Sequence, residues 1–282
     1  MVTYNEPLSA HCTLRIGGTC DRYYTPDSVE ELKHILANEP SYYVLSGGSN
    51  LLINDKKKFS CVIDMRKVND DFTDLGNGKV FIGASLRIQK VITLLQDLDL
   101  GGFEFLYSLP ALFGGVIYMN AGRGSDKKCI SQYVYSVTYM DENGAIHDIP
   151  KNDCAFSYRS SIFQKQKWII LGATLECEII PAGESRKLVQ ERIDFCKGRQ
   201  DMRFQNAGST FSICNMKIMK VIQFFAKYQS KEKRVGFSDR TLNWINNMNN
   251  GSYDDVIKEI KKVTLLHKLL GRKIKVEYRI WE

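Results

Sequence analysis

The chain has no apolar run near the roughly 18 residues that a bilayer-spanning helix needs, so no transmembrane segment and no membrane partner are expected. Its first residues, MVTYNEPLSAHC, hold neither a basic leader nor an apolar stretch. No export signal is therefore expected, and the cytoplasm is the expected compartment. No CxxC occurs, and no cysteine sits with histidine at metal-ligand spacing. That argues against a zinc site, and no metal is expected. Histidine is sparse, with four in the chain; of these only His11 falls in a stretch of interest, and it reads as structural. Neither a Walker A sequence nor GxGxxG is present, so neither of those phosphate-binding signatures applies. Low-complexity segments and internal repeats are lacking too.

What is present is ordinary for a globular protein: 282 residues, 44% apolar and 25% charged. Eight cysteines are scattered along it, at 12, 20, 61, 129, 154, 177, 196 and 214, and read as free, mostly buried thiols in a reducing compartment. The net charge of +7 is diffuse, in runs such as Lys56–Lys58, Lys127–Lys128, Lys231–Arg234 and Lys258–Lys262. Such runs are solvated faces or attract anions. No basic stretch is interleaved with aromatics to stack bases, so phosphorylated small molecules are expected rather than nucleic acid.

The periodicity predicts an α+β chain. Asp27 or Ser28 caps a helix through about Ala37 with Val29, Leu32, Ile35 and Leu36 inward. Tyr42–Leu45, Leu51–Ile53, Cys61–Met65 and Val80–Gly83 read as strands, and Asn77-Gly78 as a hairpin turn. Leu86–Leu98 has helical spacing. Val134–Met140 and Ala145–Ile149 form a second hairpin, and Trp168–Ile180 a long strand. A helix near Ser185 uses Leu188, Val189, Ile193 and Cys196; another uses Val256, Ile260, Val263, Leu266 and Leu270 and stops at Gly271. Lys273–Trp281 closes as a strand. Three lobes result: 1–67, 68–184 and 185–282.

Three loops carry paired glycines. SGGSN, Ser46–Asn50, reads as a plain turn or as an anion-cradling nest, with Gly47 and Gly48 permitting close approach and Ser49 and Asn50 adding donors. SLPALFGGVIYMNAGRGS, residues 108–125, combines Pro110, Gly114-Gly115, Asn120 and Gly122. It suits a cofactor with a flat ring and a phosphate tail, or a buried connection. CTLRIGG (12–18) ends in the third pair, and one cofactor between the first two lobes accounts for all three. In NAGSTF, Ser209 is either a turn residue or a proton donor.

Taken in order, TLRIGG, VLSGGSNLLI, GGFEFLYSLPALFGGVIYMNAG, FSYRSSIF, NAGSTF and KVEYRI resemble the UDP-N-acetylenolpyruvoylglucosamine reductases, the MurB family, over nearly the whole chain. The resemblance implies a vanillyl-alcohol-oxidase-like unit in which the two N-terminal lobes hold FAD non-covalently, and a C-terminal α+β lobe that binds substrate. Ser46 to Leu51 and the residues named in the second loop are then the FAD contacts. It implies NADPH as reductant, and hydride transfer to the enolpyruvyl group of UDP-N-acetylglucosamine enolpyruvate in peptidoglycan precursor synthesis. Ser209 matches the family's proton donor, Arg159 in YRSSIF its arginine, and Glu277 in VEYRI its glutamate. Gln200, Arg240 and Asn243 match substrate positions. The compact length resembles the type II variety, and a monomer is expected.

Seven residues in four stretches depart from the family pattern. Ser212-Ile213-Cys214 stands for Lys-Asn-Pro, Thr241 for a histidine, Asp201 for a proline, and Ser108 and Ala111 for glycines of the second loop. Two other readings therefore stand beside the first: a flavin reductase for another enol-acid or enoyl substrate, and a non-catalytic flavin module.

Overall fold

The computed structural model describes residues 1–123, 128–230 and 232–282. Gly124 and Ser125 of the second glycine loop, and the runs' Lys127 and Lys231, lie outside the described residues. The chain forms two compact units. The first comprises residues 1–3, 23–47 and 61–197; the second comprises 4–22, 48–60 and 198–282.

In the first unit, Ser28 caps α1 (Val29–Asn38), its hydroxyl accepting from Glu31 N–H at 3.2 Å. Leu32, Ile35 and Leu36 turn inward, as the spacing predicts, onto Cys61, Ile63 and Leu171. Tyr43–Leu45 pairs in parallel with the strand Lys58–Asp64. A five-stranded antiparallel sheet follows, in the order Ile146–Pro150, Val134–Met140, Ile169–Glu176, Lys79–Gly83, Phe72–Gly76. Asn77 and Gly78 join the last two with φ of 53° and 75°. Two positive values in succession match the twist of the strands, which is why Asn-Gly serves there.

α2 (Ile88–Gln96) is shorter at both ends than the predicted 86–98. Leu86 N–H bonds back to Gly83 O, and Asp99 turns left-handed at φ 53°. α2, α3 (Phe113–Tyr118) and the sheet share one core, with Ile88, Val91, Phe113, Ile117 and Val137 buried. α4 (Ala182–Lys197) begins before Ser185 and buries Ser185, Val189 and Cys196, with Leu188 outside. Ser185 displaces the expected leucine because its hydroxyl donates to the buried Glu104 carboxylate at 2.8 Å. The long strand predicted over 168–180 is broken: Cys177 N–H turns to Gly78 O, and Glu178–Ile179 pairs with Leu100–Gly101. A run of extended-favouring residues carries no mark of which partner its backbone chooses.

Three small sheets that draw strands from its C-terminal part lie among the described residues of the second unit. Gln205–Ser209, Trp244–Asn247 and Val235–Phe237 form an antiparallel set in that order. The closing strand predicted over 273–281 is two strands: Lys275–Val276 pairs with Phe211–Ile213, and Arg279–Trp281 runs parallel to Leu51–Ile53. α5 (Met216–Ala226) and α6 (Tyr253–Leu269) cover them. α6 opens with a Ser252–Asp255 capping box and ends at Gly271, φ 62°, where Arg272 N–H bonds His267 O. Val256, Ile260 and Val263 are buried as predicted, but Leu266 and Leu270 are not; His267 is fully buried instead.

The third glycine pair is explained by packing within this unit. A Cβ on Gly18 would stand 2.0 Å from Lys57 O, and one on Gly17 2.9 Å from Ser9 N. Backbone atoms cannot yield as side-chain tips can. Gly18→Ala is therefore expected to cost about 3 kcal/mol of unfolding free energy, read as a lower urea midpoint; a midpoint unchanged from wild type would contradict this packing.

Candidate functional site

Ser209 ends its strand at a bulge. The register with Trp244–Asn247 slips between Asn206 and Ser209, and Gly208 between them has φ 72°. The bulge is tied from two sides. Tyr278 Oη donates to Gly208 O at 3.2 Å and accepts from Thr210 Oγ1 at 3.2 Å. Asn243, itself at φ 67°, accepts from Phe211 N–H through Oδ1 at 3.1 Å and donates to Phe211 O through Nδ2 at 2.8 Å. Held between these clamps, Ser209 is half-buried, and its hydroxyl has no hydrogen-bond partner among the described residues.

Glu277 is brought to the same place. It occupies the break between the two closing strands, and its N–H donates to Thr210 O at 2.8 Å. Asn50 fastens this break: Nδ2 donates to Glu277 O at 3.2 Å, and Asn50 O accepts from Arg279 N–H at 3.0 Å. Ser209, Glu277 and Asn50 thus share one neighbourhood of the second unit, although they lie far apart in the chain. Burial pushes the Tyr278 phenol upward, with the Glu277 carboxylate adding to the shift, so the hydroxyl keeps its proton.

Gln200 is bracketed by the residue that stands for the family's histidine. Thr241 Oγ1 donates to Arg199 O at 2.8 Å and accepts from Asp201 N–H. Asp201, in place of the proline, is fully buried. It bonds Arg203 Nε at 2.7 Å, Ser238 Oγ at 2.7 Å and Asn246 Nδ2 at 2.8 Å. The Arg203 guanidinium, with Ser238 and Asn246 behind it, holds the Asp201 carboxyl well below the usual carboxylate range against the opposing pull of burial. Arg240 is exposed and turns on Ser238 through its backbone N–H. Asn243 spends its side-chain amide on Phe211.

Arg159 lies in the first unit, at the tip of a two-residue turn closed by reciprocal Ser157–Ser160 backbone bonds of 3.0 and 3.1 Å. Its φ is 55°, a left-handed conformation that costs a non-glycine residue about 1–3 kcal/mol. The turn is over-determined. Asn120 Nδ2 donates to Ser157 O at 2.9 Å, Gln164 Nε2 to Arg159 O at 3.2 Å, and Ser161 Oγ to Tyr118 O at 2.7 Å. Asn120 also accepts from Ser131 N–H at 3.2 Å, so its side chain braces Arg159's turn from within the protein.

The first two glycine loops meet in this unit. A Cβ on Gly47 would lie 3.2–3.3 Å from the backbone of Pro110, Ala111 and Leu112, and one on Gly115 only 2.9 Å from Ser46 Oγ. Ser46 Oγ is buried with no hydrogen-bond partner among the described residues. A buried orphan hydroxyl costs roughly 1–3 kcal/mol, which a ligand acceptor would recover. In this respect the residues fit a phosphate-bearing cofactor. Gly114 is fitted to Ala84, and Gly122 to Lys128 and Cys129. Ser108 and Ala111 are not among the positive-φ residues, so the loop bends without the family's glycines; Ser108 accepts from Arg192 Nε at 2.9 Å.

In the second unit Gly48, φ 65°, approaches His11 O, and Gly48 O accepts from Thr13 N–H at 3.0 Å. Thr13 Oγ1 is a second buried hydroxyl with no partner among the described residues. Sequence reasoning passed over both Thr13 and Tyr278, although they lie in the quoted TLRIGG and VEYRI. Their roles depend on contacts that neither motif displays. The eight cysteines are thiols outside any disulfide, and burial pushes Cys154 and Cys177 up to about 12, well away from thiolate chemistry. Among the described residues no group of His, Cys, Asp and Glu is arranged to hold a metal.

The fold and these loops define a flavoprotein: the FAD binding domain family model matches residues 20–150. The chain is 30% identical to the UDP-N-acetylenolpyruvoylglucosamine reductase of Carboxydothermus hydrogenoformans, over 99% of this chain and 93% of that one. It is 30% identical to the enzyme of the same name from Prochlorococcus marinus, over 92% and 90%. Its fold is that of the UDP-N-acetylenolpyruvylglucosamine reductase of Thermus caldophilus, with a TM-score of 0.80 at 23% identity over 100% and 99% of the two chains. The chain belongs to the UDP-N-acetylenolpyruvoylglucosamine reductase family and is an FAD-dependent oxidoreductase.

Two outcomes follow from this geometry. Because Asp201 is held below its unfolded value of about 3.9, its contribution is fully present above that pH. The contribution fades as pH falls through the ordinary carboxylate range toward the folded value. Asp201→Asn is expected to cost about 2 kcal/mol at pH 7 and less at pH 3; a penalty independent of pH would contradict the pairing. Ser46→Ala is expected to leave the FAD-free protein as stable as wild type or about 1 kcal/mol more so, while weakening FAD binding in a fluorescence titration. Unchanged FAD affinity would mean that the hydroxyl faces no ligand.

Proposed function

We propose that this protein reduces the enolpyruvyl group of UDP-N-acetylglucosamine enolpyruvate to give UDP-N-acetylmuramate, a peptidoglycan precursor. The observation that carries the reading is the half-buried Ser209 hydroxyl, without a protein partner among the described residues, on a clamped bulge beside Glu277. Full-length similarity to enzymes bearing that name supports it. Residues 1–67 and 68–184 are assigned to FAD and 185–282 to the UDP-sugar, in a monomer working in the cytoplasm. No helix among the described residues is long and apolar enough to cross a membrane.

When bound and reduced by NADPH, FAD would supply hydride for C3 of the substrate. Ser46 and the backbones of Gly47, Gly48, Ser49, Asn50 and Leu51 would hold the cofactor, together with Pro110, Gly114, Gly115, Asn120 and Gly122. Arg159 binds the substrate carboxylate through its planar donor fork. Negative charge grows on those oxygens once C3 has gained its hydride, so the guanidinium binds the developing enediolate more tightly than the ground state. The rigid turn beneath it keeps the fork from having to reorganise. Ser209 delivers the proton to C2. An alkyl hydroxyl is a weak acid, and Glu277 shares a proton with the enediolate so that its charge does not build up unopposed. Gln200, Arg240 and Asn243 form the substrate side of the third segment. Thr241 fixes the backbone on either side of Gln200, and Asn243 acts through the strand that carries Ser209.

The half-reactions separate the roles. Under anaerobic stopped flow, Ser209→Ala is expected to be bleached by NADPH as fast as wild type. Its reoxidation by UDP-N-acetylglucosamine enolpyruvate should slow by at least about 100-fold. Equal loss of both half-reactions would remove the proton-donor role. Reduced wild-type flavin that ignores this substrate would assign the enzyme to another enol acid.

A further inference from the structure

α5 is apolar on two opposite sides. One side, with Met219, Ile222 and Ala226, packs into the core of the second unit. The other carries Val221 and Phe224, with Phe225 at its edge and Tyr228 in the turn just beyond the helix; these are 54, 53, 63 and 74% exposed. A helix on a globular surface needs only one apolar stripe, so the fold does not call for this second one. α6 repeats the pattern beside it, with Leu265 and Leu269 pointing out at 58 and 75% exposure. A groove of about 370 Å³ runs between the helices, with Val221, Phe225 and Leu266 in its walls.

Charge selects the occupant. No Asp or Glu occurs between Met216 and Ser230, nor between Ile260 and Val276. Lys217, Lys220 and Lys227 flank the stripe of α5; Lys261, Lys262 and Lys268 flank that of α6. The acidic residue at the groove, Glu259, is already paired with Lys233 at 3.3 Å and Lys262 at 2.9 Å. A second copy of the chain would set lysine against lysine across a two-fold contact. A peptide laid in the groove would leave Phe224, Tyr228, Leu265 and Leu269 uncovered, since these lie outside its walls. A bilayer surface, being broader than the groove, is not confined to its walls. Aromatic and aliphatic side chains with lysines around them suit the boundary between headgroups and acyl chains, where ammonium groups reach the phosphates.

We propose that α5 and the C-terminal half of α6 form a peripheral docking face for bilayers that carry anionic headgroups. The proposal does not depend on the reductase reading. The lack of a spanning run bears only on crossing a bilayer, and this face lies on one.

The test is co-sedimentation of the FAD-loaded protein with phosphatidylcholine vesicles, with and without phosphatidylglycerol. Binding is expected only with phosphatidylglycerol, and it should weaken at high salt as the charges are screened. Phe224→Glu/Phe225→Glu is expected to weaken it at least about tenfold with flavin content and NADPH bleaching unchanged. Lys220→Glu/Lys227→Glu, which spares the aromatic side chains, should do the same. Failure of the wild-type protein to bind either vesicle would overturn the proposal. So would equal binding to both, or a concentration-dependent dimer in sedimentation velocity that the Phe224→Glu/Phe225→Glu variant abolishes.

Discussion

A single left-handed glycine governs the second unit. With Gly208 at φ 72°, the strand Gln205–Ser209 takes one extra step against its partner. That step lets Thr210 go into the core while Ser209 stays half-buried. A bulge is a local loss of ladder bonds and is retained only where neighbours compensate. Here the compensation is specific. The Tyr278 hydroxyl takes Gly208 O, the Asn243 amide takes both backbone groups of Phe211, and Glu277 N–H takes Thr210 O. Four bonds from two distant segments hold the residues on either side of one serine, and the break that frees Glu277 N–H brings the Glu277 backbone against Thr210, next to that serine. The closing strand has to be interrupted for this to happen, which accounts for its two halves lying in different sheets.

The first unit follows the same logic with a different strained residue. Arg159 is left-handed without being glycine, and such a residue persists when its surroundings leave it no alternative. Asn120 is the brace, itself at φ 42° and buried. Its amide spans from Ser157 O to Ser131 N–H. Asn120 stands among the expected cofactor contacts as part of an uncharged, glycine-studded loop. The structure adds a contribution to the arginine, since loss of either Asn120 bond would release the turn that aims the guanidinium.

Local signals were legible wherever the chain's own chemistry decides the outcome. Ser28 before an apolar period, Asn77-Gly78 between two strands and Gly271 after α6 each act through backbone geometry within a few residues, and each is where the pattern puts it. The reading failed where a partner far along the chain decides. Trp168–Ile180 looks like one strand until Gly78 and Leu100–Gly101 compete for its far end. At the site, the motifs named Ser209, Glu277 and Arg159. Tyr278, Thr13 and the bracketing role of Thr241 depend on hydrogen bonds to residues outside their own motifs.

The exposure of α6's leucines has a cause of the same kind. After Val263, either a step of three to Leu266 or of four to His267 keeps the helical period, and hydropathy favours the leucine. Hydrogen bonding favours the histidine. The backbone N–H of Asn215, which caps α5, has as its acceptor His267 Nε2 at 3.0 Å, while Nδ1 bonds Val263 O at 2.9 Å. A leucine in that place would bury the N–H without an acceptor, at a cost of about 1–3 kcal/mol. That offsets much of the roughly 1.5–3 kcal/mol available from burying a leucine side chain. The helix therefore rotates its imidazole inward to secure the start of α5, and in doing so leaves Leu266 in the groove between the two helices and Leu269 exposed. One buried side-chain bond thus fixes how the two helices are joined, and the same bond decides which of their residues meet whatever lies outside.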